Sequence, residues 1–209
     1  MSFFDLQEKG KFVSNNLIDK KMKLRDQNTA LILIDVQKGF NEENHWGGNR
    51  NNKDAETKMA QILEKWRTLK LPVFHIVHSS LHPNSKLHAS HPGFEIKDEV
   101  QPIAGEPVIS KNVNSAFIGT DLKERLDNLG ITKLVIVGLT TNHCVSTTTR
   151  MAGNFGFDVY LISDATATFD RMGINGEKYD SELVHQISLA SLHNEFAEVI
   201  DTKRLLELV

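Results

Sequence analysis

Leu134-Val-Ile-Val-Gly-Leu-Thr-Thr-Asn-His-Cys144-Val-Ser-Thr-Thr-Thr-Arg150 is the stretch whose reading decides the fold. Leu134 to Val137 is a short apolar, β-branched run stopped by Gly138, the pattern of a buried strand reaching a turn. A helix start follows. Thr141 or Asn142 is placed to cap it through a side-chain oxygen, and Cys144 then falls in or beside the first turn, where backbone N–H groups and the positive dipole end favour a thiolate. Taken alone, this cysteine has two readings, a small buried hydrophobe or a mounted nucleophile. Its position at a strand-to-helix junction, the ligand edge of an open α/β sheet, favours the second.

Outward from this stretch, the same strand-then-helix alternation recurs. Thr29 to Val36 is a near-continuous apolar run containing Asp35, as a central parallel strand covered on both faces requires. Pro72–His78, Pro107–Asn112, Gly156–Ile162 (closed by Ser163-Asp164) and Ala197–Ile200 read as further strands. Between them lie helical patterns: Asp54 to Leu69, with Met59, Ile62, Leu63, Trp66 and Leu69 at helical spacing; a helix capped by Thr120 or Asp121 and running through Leu129; and Glu177 to Asn194. The alternation predicts an α/β fold, a three-layer α/β/α sandwich around a doubly wound, mostly parallel sheet of Rossmann-like topology. Residues 1–28 are polar with scattered apolar positions and read as an N-terminal arm, with 29–209 as one domain.

Asp35, Lys111 and Cys144 each lie at the end of a predicted core strand, and parallel strands of one sheet bring such ends to a common edge. An aspartate or lysine in that position is ordinarily a loop cap or a solvated charge; three chemically complementary ends at one edge are a candidate site. Five of the nine histidines fall between His75 and His91, which invites a metal reading. The strand period of two sends His75 and His78 to opposite faces, so packing or solvated histidines are the better reading.

With 24 Lys and Arg against 27 Asp and Glu, the net charge of −3 gives no electrostatic reason to expect nucleic acid or an anionic membrane as partner; a small molecule is the expected one. The start of the chain lacks the charged and apolar regions of a signal peptide, no segment has bilayer length, and the expected location is cytoplasmic. One cysteine forms no internal disulfide, and a reducing compartment keeps it a thiol.

The motifs together resemble the isochorismatase-like cysteine hydrolases, the superfamily that includes nicotinamidases and N-carbamoylsarcosine amidohydrolase. They are Leu-Ile-Asp35-Val-Gln37-x-x-Phe40, then Lys111-x-x-x-Ser115-Ala-Phe117-x-Gly119-Thr120-x-Leu122, then Val-Gly138-Leu-Thr-Thr-Asn-His-Cys144-Val-x-x-Thr-x-Arg150, then Ser163-Asp164-Ala165. The resemblance runs from about Thr29 to Ile200. It implies a triad in which Asp35 accepts the thiol proton, Lys111 holds both groups by charge and Cys144 attacks a carbonyl carbon. It implies an oxyanion hole from the backbone N–H groups of Thr140 and Cys144, with a cis peptide between Leu139 and Thr140. The implied reaction is C–N bond hydrolysis without an organic cofactor, in an enzyme that associates as a homodimer or homotetramer.

Phe40, Trp46, His78, Asn114, Phe117 and His143 are expected to shape the pocket. Nicotinamidases resemble one another in an Asp-x-His metal motif, and His78-Ser-Ser-Leu-His82 has no aspartate in the matching place, so no metal is expected and nicotinamide is disfavoured. Isochorismatases that cleave a vinyl ether typically lack the cysteine, so Cys144 points to amide-type chemistry. Metal-assisted nicotinamidase-like hydrolysis, vinyl ether hydrolysis and a non-enzymatic binding role on the same fold remain the alternatives.

Overall fold

The computed structural model describes Leu24 and residues 28–209; the arm assigned to residues 1–28 lies almost wholly outside them. Six parallel strands form the central sheet: β1 (Thr29–Ile34), β2 (Val73–His78), β3 (Val108–Lys111), β4 (Lys133–Leu139), β5 (Asp158–Ala167) and β8 (Glu198–Ile200). Their order is β3-β2-β1-β4-β5-β8, so the chain reverses direction across the sheet between β1 and β4. A two-stranded antiparallel ribbon, β6 (Arg171–Met172) with β7 (Lys178–Tyr179), stands apart from it.

The strand period of two assigns each face its helices. Leu31, Leu33, Val135 and Val137 pack with α1 (Ala55–Leu69) and α5 (Thr202–Leu208). Ala30, Ile32, Ile34, Leu134 and Ile136 pack on the other face with α2 (Leu122–Asn128), α3 (Ser146–Asn154) and α4 (Ser181–Ala190). The result is the three-layer arrangement expected from the alternation. β1 is buried at every position. At about 1.5–3 kcal/mol for each buried Leu or Ile side chain, its two faces commit the strand to the centre of the sheet.

The structure departs from the sequence reading in several places. β5 does not stop at Ser163-Asp164 but continues through a register shift against β4, pairing Ile136 with Leu161 and then Gly138 with Thr166. Asn52 Nδ2 donates to the Ser163 and Thr166 carbonyls, satisfying backbone groups that this irregularity frees. The helix expected from Glu177 begins at Ser181, because Lys178–Tyr179 pairs with Arg171–Met172 and Asp180 supplies the cap, accepting from the Glu182 N–H. A C-terminal helix, α5, follows the last strand.

Candidate active site

The crevice lies where the chain reverses across the sheet, outside the carboxyl ends of β1 and β4. Close approach of these strands depends on Gly138, whose φ is +130° and where an added Cβ would stand 2.1 Å from the Ile34 carbonyl oxygen. Asp35 follows β1 directly in a left-handed conformation, φ 52°, sparsely populated for a non-glycine residue and tolerated by aspartate. Its N–H donates to the Ile76 carbonyl and its own carbonyl accepts from Gln37 N–H, so the turn away from the sheet is fixed on both sides.

Lys111 ends β3 in register with His78 of β2 and reaches across to β1. Its Nζ donates to Asp35 Oδ2 at 2.7 Å, both side chains being fully buried. It also lies 3.2 Å from His78 Nδ1. His78 is held by Gln37, whose Oε1 accepts from the His78 N–H and whose Nε2 donates to the His78 and Phe94 carbonyls. Burial, with the neighbouring ammonium, pushes the His78 imidazole below its usual range, so it is neutral at pH 7 and its Nδ1 accepts from Lys111.

Cys144 sits in a single π-helical turn, Thr141–Val145, that opens α3. Neither expected cap is used. Thr141 Oγ1 pairs with His185 Nδ1 of α4, and Asn142 Oδ1 accepts from Thr168 Oγ1, so both side chains anchor the turn to its neighbours. The peptide between Leu139 and Thr140 is cis, as the resemblance implies. The Cys144 thiol points at Asn114 Oδ1, 3.7 Å away.

One Asp35 carboxylate oxygen, a His78 ring nitrogen and Cys144 Sγ lie within 4.8 Å of one another. This is the one trio of metal-type donors among the described residues, and it does not fit a cation: the Lys111 ammonium already bonds the carboxylate and the imidazole nitrogen. Asp35 Oδ1 is buried with no hydrogen-bond partner. An unsatisfied oxygen on a carboxylate group that lies within 4.8 Å of a thiol sulfur is an acceptor awaiting a proton. Burial raises the Asp35 carboxyl above the usual aspartate range against the opposing pull of Lys111. Burial and then the Asp35 charge push the Cys144 thiol far upward. The resting cysteine is therefore a neutral thiol, which corrects the expectation that the helix start alone favours a thiolate.

A cavity of about 180 Å³ opens onto these groups, lined by Asp35, His78, Asn114, Thr140, His143 and Cys144, with Phe40, Trp46 and Leu87 supplying an apolar wall. Trp46, half-buried, packs on Phe40 with ring centroids 4.7 Å apart, and its indole Nε1 donates to the Gly39 carbonyl. Phe117 is the exception. It is buried away from the cavity against Phe155 and Phe157, because the turn that begins at Ser115 carries it into the core beneath α2 and α3. Three lining residues, Ser85, Leu87 and Arg171, went unread in the sequence. Arg171 belongs to a two-residue strand in a polar stretch, and no periodicity marks it.

The isochorismatase domain model matches residues 29–204 of the chain. An uncharacterised isochorismatase family protein of Bacillus subtilis, YrdC, is 51% identical over 181 residues, covering 87% of this chain and 96% of that one. A crystal structure of an isochorismatase-family hydrolase from Chromobacterium violaceum superposes with a TM-score of 0.84 at 40% identity, covering 88% of this chain and 94% of the other. Nicotinamidase 3 of Arabidopsis thaliana is 29% identical over 197 residues, covering 87% of this chain and 90% of its own length.

Proposed function

The chain belongs to the isochorismatase family of hydrolases, and on that footing we propose that it hydrolyses a C–N bond of a small amide or carbamoyl compound through a thioester on Cys144. The observation that carries the reading is the buried Asp35 carboxylate, which lies within 4.8 Å of Cys144 Sγ, has no hydrogen-bond partner on Oδ1 and is held by Lys111 at Oδ2. A relative bearing the name nicotinamidase supports amide chemistry in this fold.

In this mechanism Asp35 Oδ1 takes the thiol proton as Sγ attacks the carbonyl carbon, so no free thiolate has to persist in the pocket. The oxygen that gains charge accepts hydrogen bonds from the backbone N–H groups of Thr140 and Cys144. Collapse breaks the C–N bond, and Asp35 returns its proton to the departing nitrogen. Water then attacks the thioester while Asp35 accepts its proton, the acid departs, and the proton goes back to sulfur. Lys111 keeps Asp35 aimed throughout and holds it ionised in the resting state, before it takes the thiol proton. His78, neutral and anchored by Gln37, fixes the ammonium from its other side.

The test is Cys144→Ala against a panel of small amides and ureido compounds, with a quenched wild-type reaction analysed by mass spectrometry. Turnover is expected to vanish in the variant with circular dichroism unchanged, and an acyl adduct is expected on Cys144. Wild-type turnover by Cys144→Ala would overturn the reading.

A further inference from the structure

The cavity contains one charge that the proposed chemistry does not use. Arg171 lines it together with Cys144, and among the described residues no carboxylate stands within ion-pair distance of its guanidinium. The neighbouring acid, Asp170, is already taken by Lys178 and by the Ser181 N–H. Arg171 Nη2 donates to His143 Nδ1 at 3.1 Å, a neutral partner, and its Nε is buried with no partner at all. A half-buried guanidinium with an idle N–H group is costly to retain without a ligand to match it.

The charges of the pocket sum simply. Lys111 and Asp35 cancel as a buried pair. His78 and His143 are both neutral, the latter because burial and the adjacent Arg171 hold its imidazole down, and Cys144 rests as a thiol. What remains is the single positive charge of Arg171, which lines the same cavity as a reactive sulfur. A guanidinium presents a planar fork of donors that matches a carboxylate in two parallel hydrogen bonds.

We propose that Arg171 is the specificity-determining residue of this site and that the substrate is a small amide or carbamoyl compound bearing a carboxylate, which Arg171 binds while the carbonyl faces Cys144. The cavity of about 180 Å³ limits such a molecule to a short chain, and the Phe40, Trp46 and Leu87 wall covers its apolar middle. The inference rests on the hydrolase reading above in naming the substrate, while the anion site itself is testable without turnover.

The experiment is calorimetric titration of the Cys144→Ser protein with two matched series. One comprises oxamate, malonamate, succinamate and N-carbamoylglycine; the other comprises the corresponding neutral amides. At least one carboxylate is expected to bind about 10- to 100-fold more tightly than its neutral partner, the range of a charge-assisted bidentate contact. Arg171→Gln in the same background should erase that preference while leaving neutral-amide binding and the melting temperature unchanged, and Arg171→Lys should restore part of it. Equal binding of both series, or a preference that survives Arg171→Gln, would overturn the proposal. Neither result depends on whether Cys144→Ala abolishes turnover, so the two readings fail separately.

Discussion

Replacing Lys111 by methionine tests the electrostatic frame of the site more stringently than removal of the sulfur. The ammonium and the Asp35 carboxylate are both fully buried and 2.7 Å apart. Deleting one member of such a pair leaves an uncompensated charge in low dielectric, a loss of about 3–5 kcal/mol. For a domain of this size, that corresponds to a fall in melting temperature of roughly 6–20 °C at pH 7. The penalty must depend on pH. Without Lys111 the folded site takes up one proton that the wild type does not, on Asp35, already raised above the ordinary aspartate range by burial, or on His78, no longer held down by the ammonium. A raised folded-state pKa gives stability that is present at acid pH and lost as pH climbs. The destabilisation should therefore grow by up to about 1.4 kcal/mol per pH unit above the Asp35 reference value, and shrink toward pH 4. Urea unfolding of both proteins between pH 4 and pH 8 reads this directly. A difference that is flat across that range, or below about 1 kcal/mol at pH 7, would refute the view that Lys111 compensates a buried carboxylate. The same variant should lose about 10²- to 10⁴-fold in rate, the usual worth of a positioned general base, because a protonated Asp35 accepts nothing from sulfur.

Two further expectations concern the scaffold. Gly138→Ala places a Cβ 2.1 Å from the Ile34 carbonyl oxygen at a φ of +130°, so β1 and β4 must part; thermal unfolding should show a loss of at least about 3 kcal/mol, and a wild-type melting temperature would contradict the close-approach argument. Glu106 is pushed up by burial, but hydrogen bonds from Arg67, the Ile103 N–H and His75 outweigh this and hold its carboxyl at about 2, below the reference 4.5. A depressed folded pKa gives stability present above pH 4.5 and lost as pH falls toward 2. Glu106→Gln should therefore flatten the acid limb of the stability curve by about 2–3 kcal/mol, and an unchanged limb would remove Glu106 from the account.

The central layer was legible because parallel strands buried on both faces must be nearly all apolar, and β1 and β4 announce themselves that way. The meeting of Asp35 and Lys111 followed from strand ends sharing an edge, which needs only the topology. What escaped the sequence lacks a period or depends on distant partners. β6 and β7 are two residues each, too short for alternation, and Arg171 rides on one of them. The cap expected from Thr141 or Asn142 does not form because the best partners of these side chains, His185 and Thr168, lie far along the chain. Phe117 and Asn114 are both expected in the pocket, but three residues of turning chain send the Asn114 side chain to the cavity and the Phe117 side chain to the core.

The same long-range dependence explains why the thiol rests protonated at a helix start. In the Thr141–Val145 turn the His143 and Val145 N–H groups both donate to the Thr140 carbonyl, and the Ser146 N–H donates to His143 and Thr141. Donors engaged in this way have less positive field to offer a sulfur, while burial and the Asp35 charge act against ionisation. The local dipole is outweighed by burial of the sulfur together with one carboxylate from another strand. In the proposed mechanism this is an advantage: a base of raised proton affinity and a neutral thiol sit together, and the proton moves only when a carbonyl is present to take the electron pair from sulfur. Activation then belongs to the pairing of β1 with β4 rather than to the cysteine's own helix. Gly138, which lets those strands close, is on this argument as much a part of the nucleophile's chemistry as of the fold.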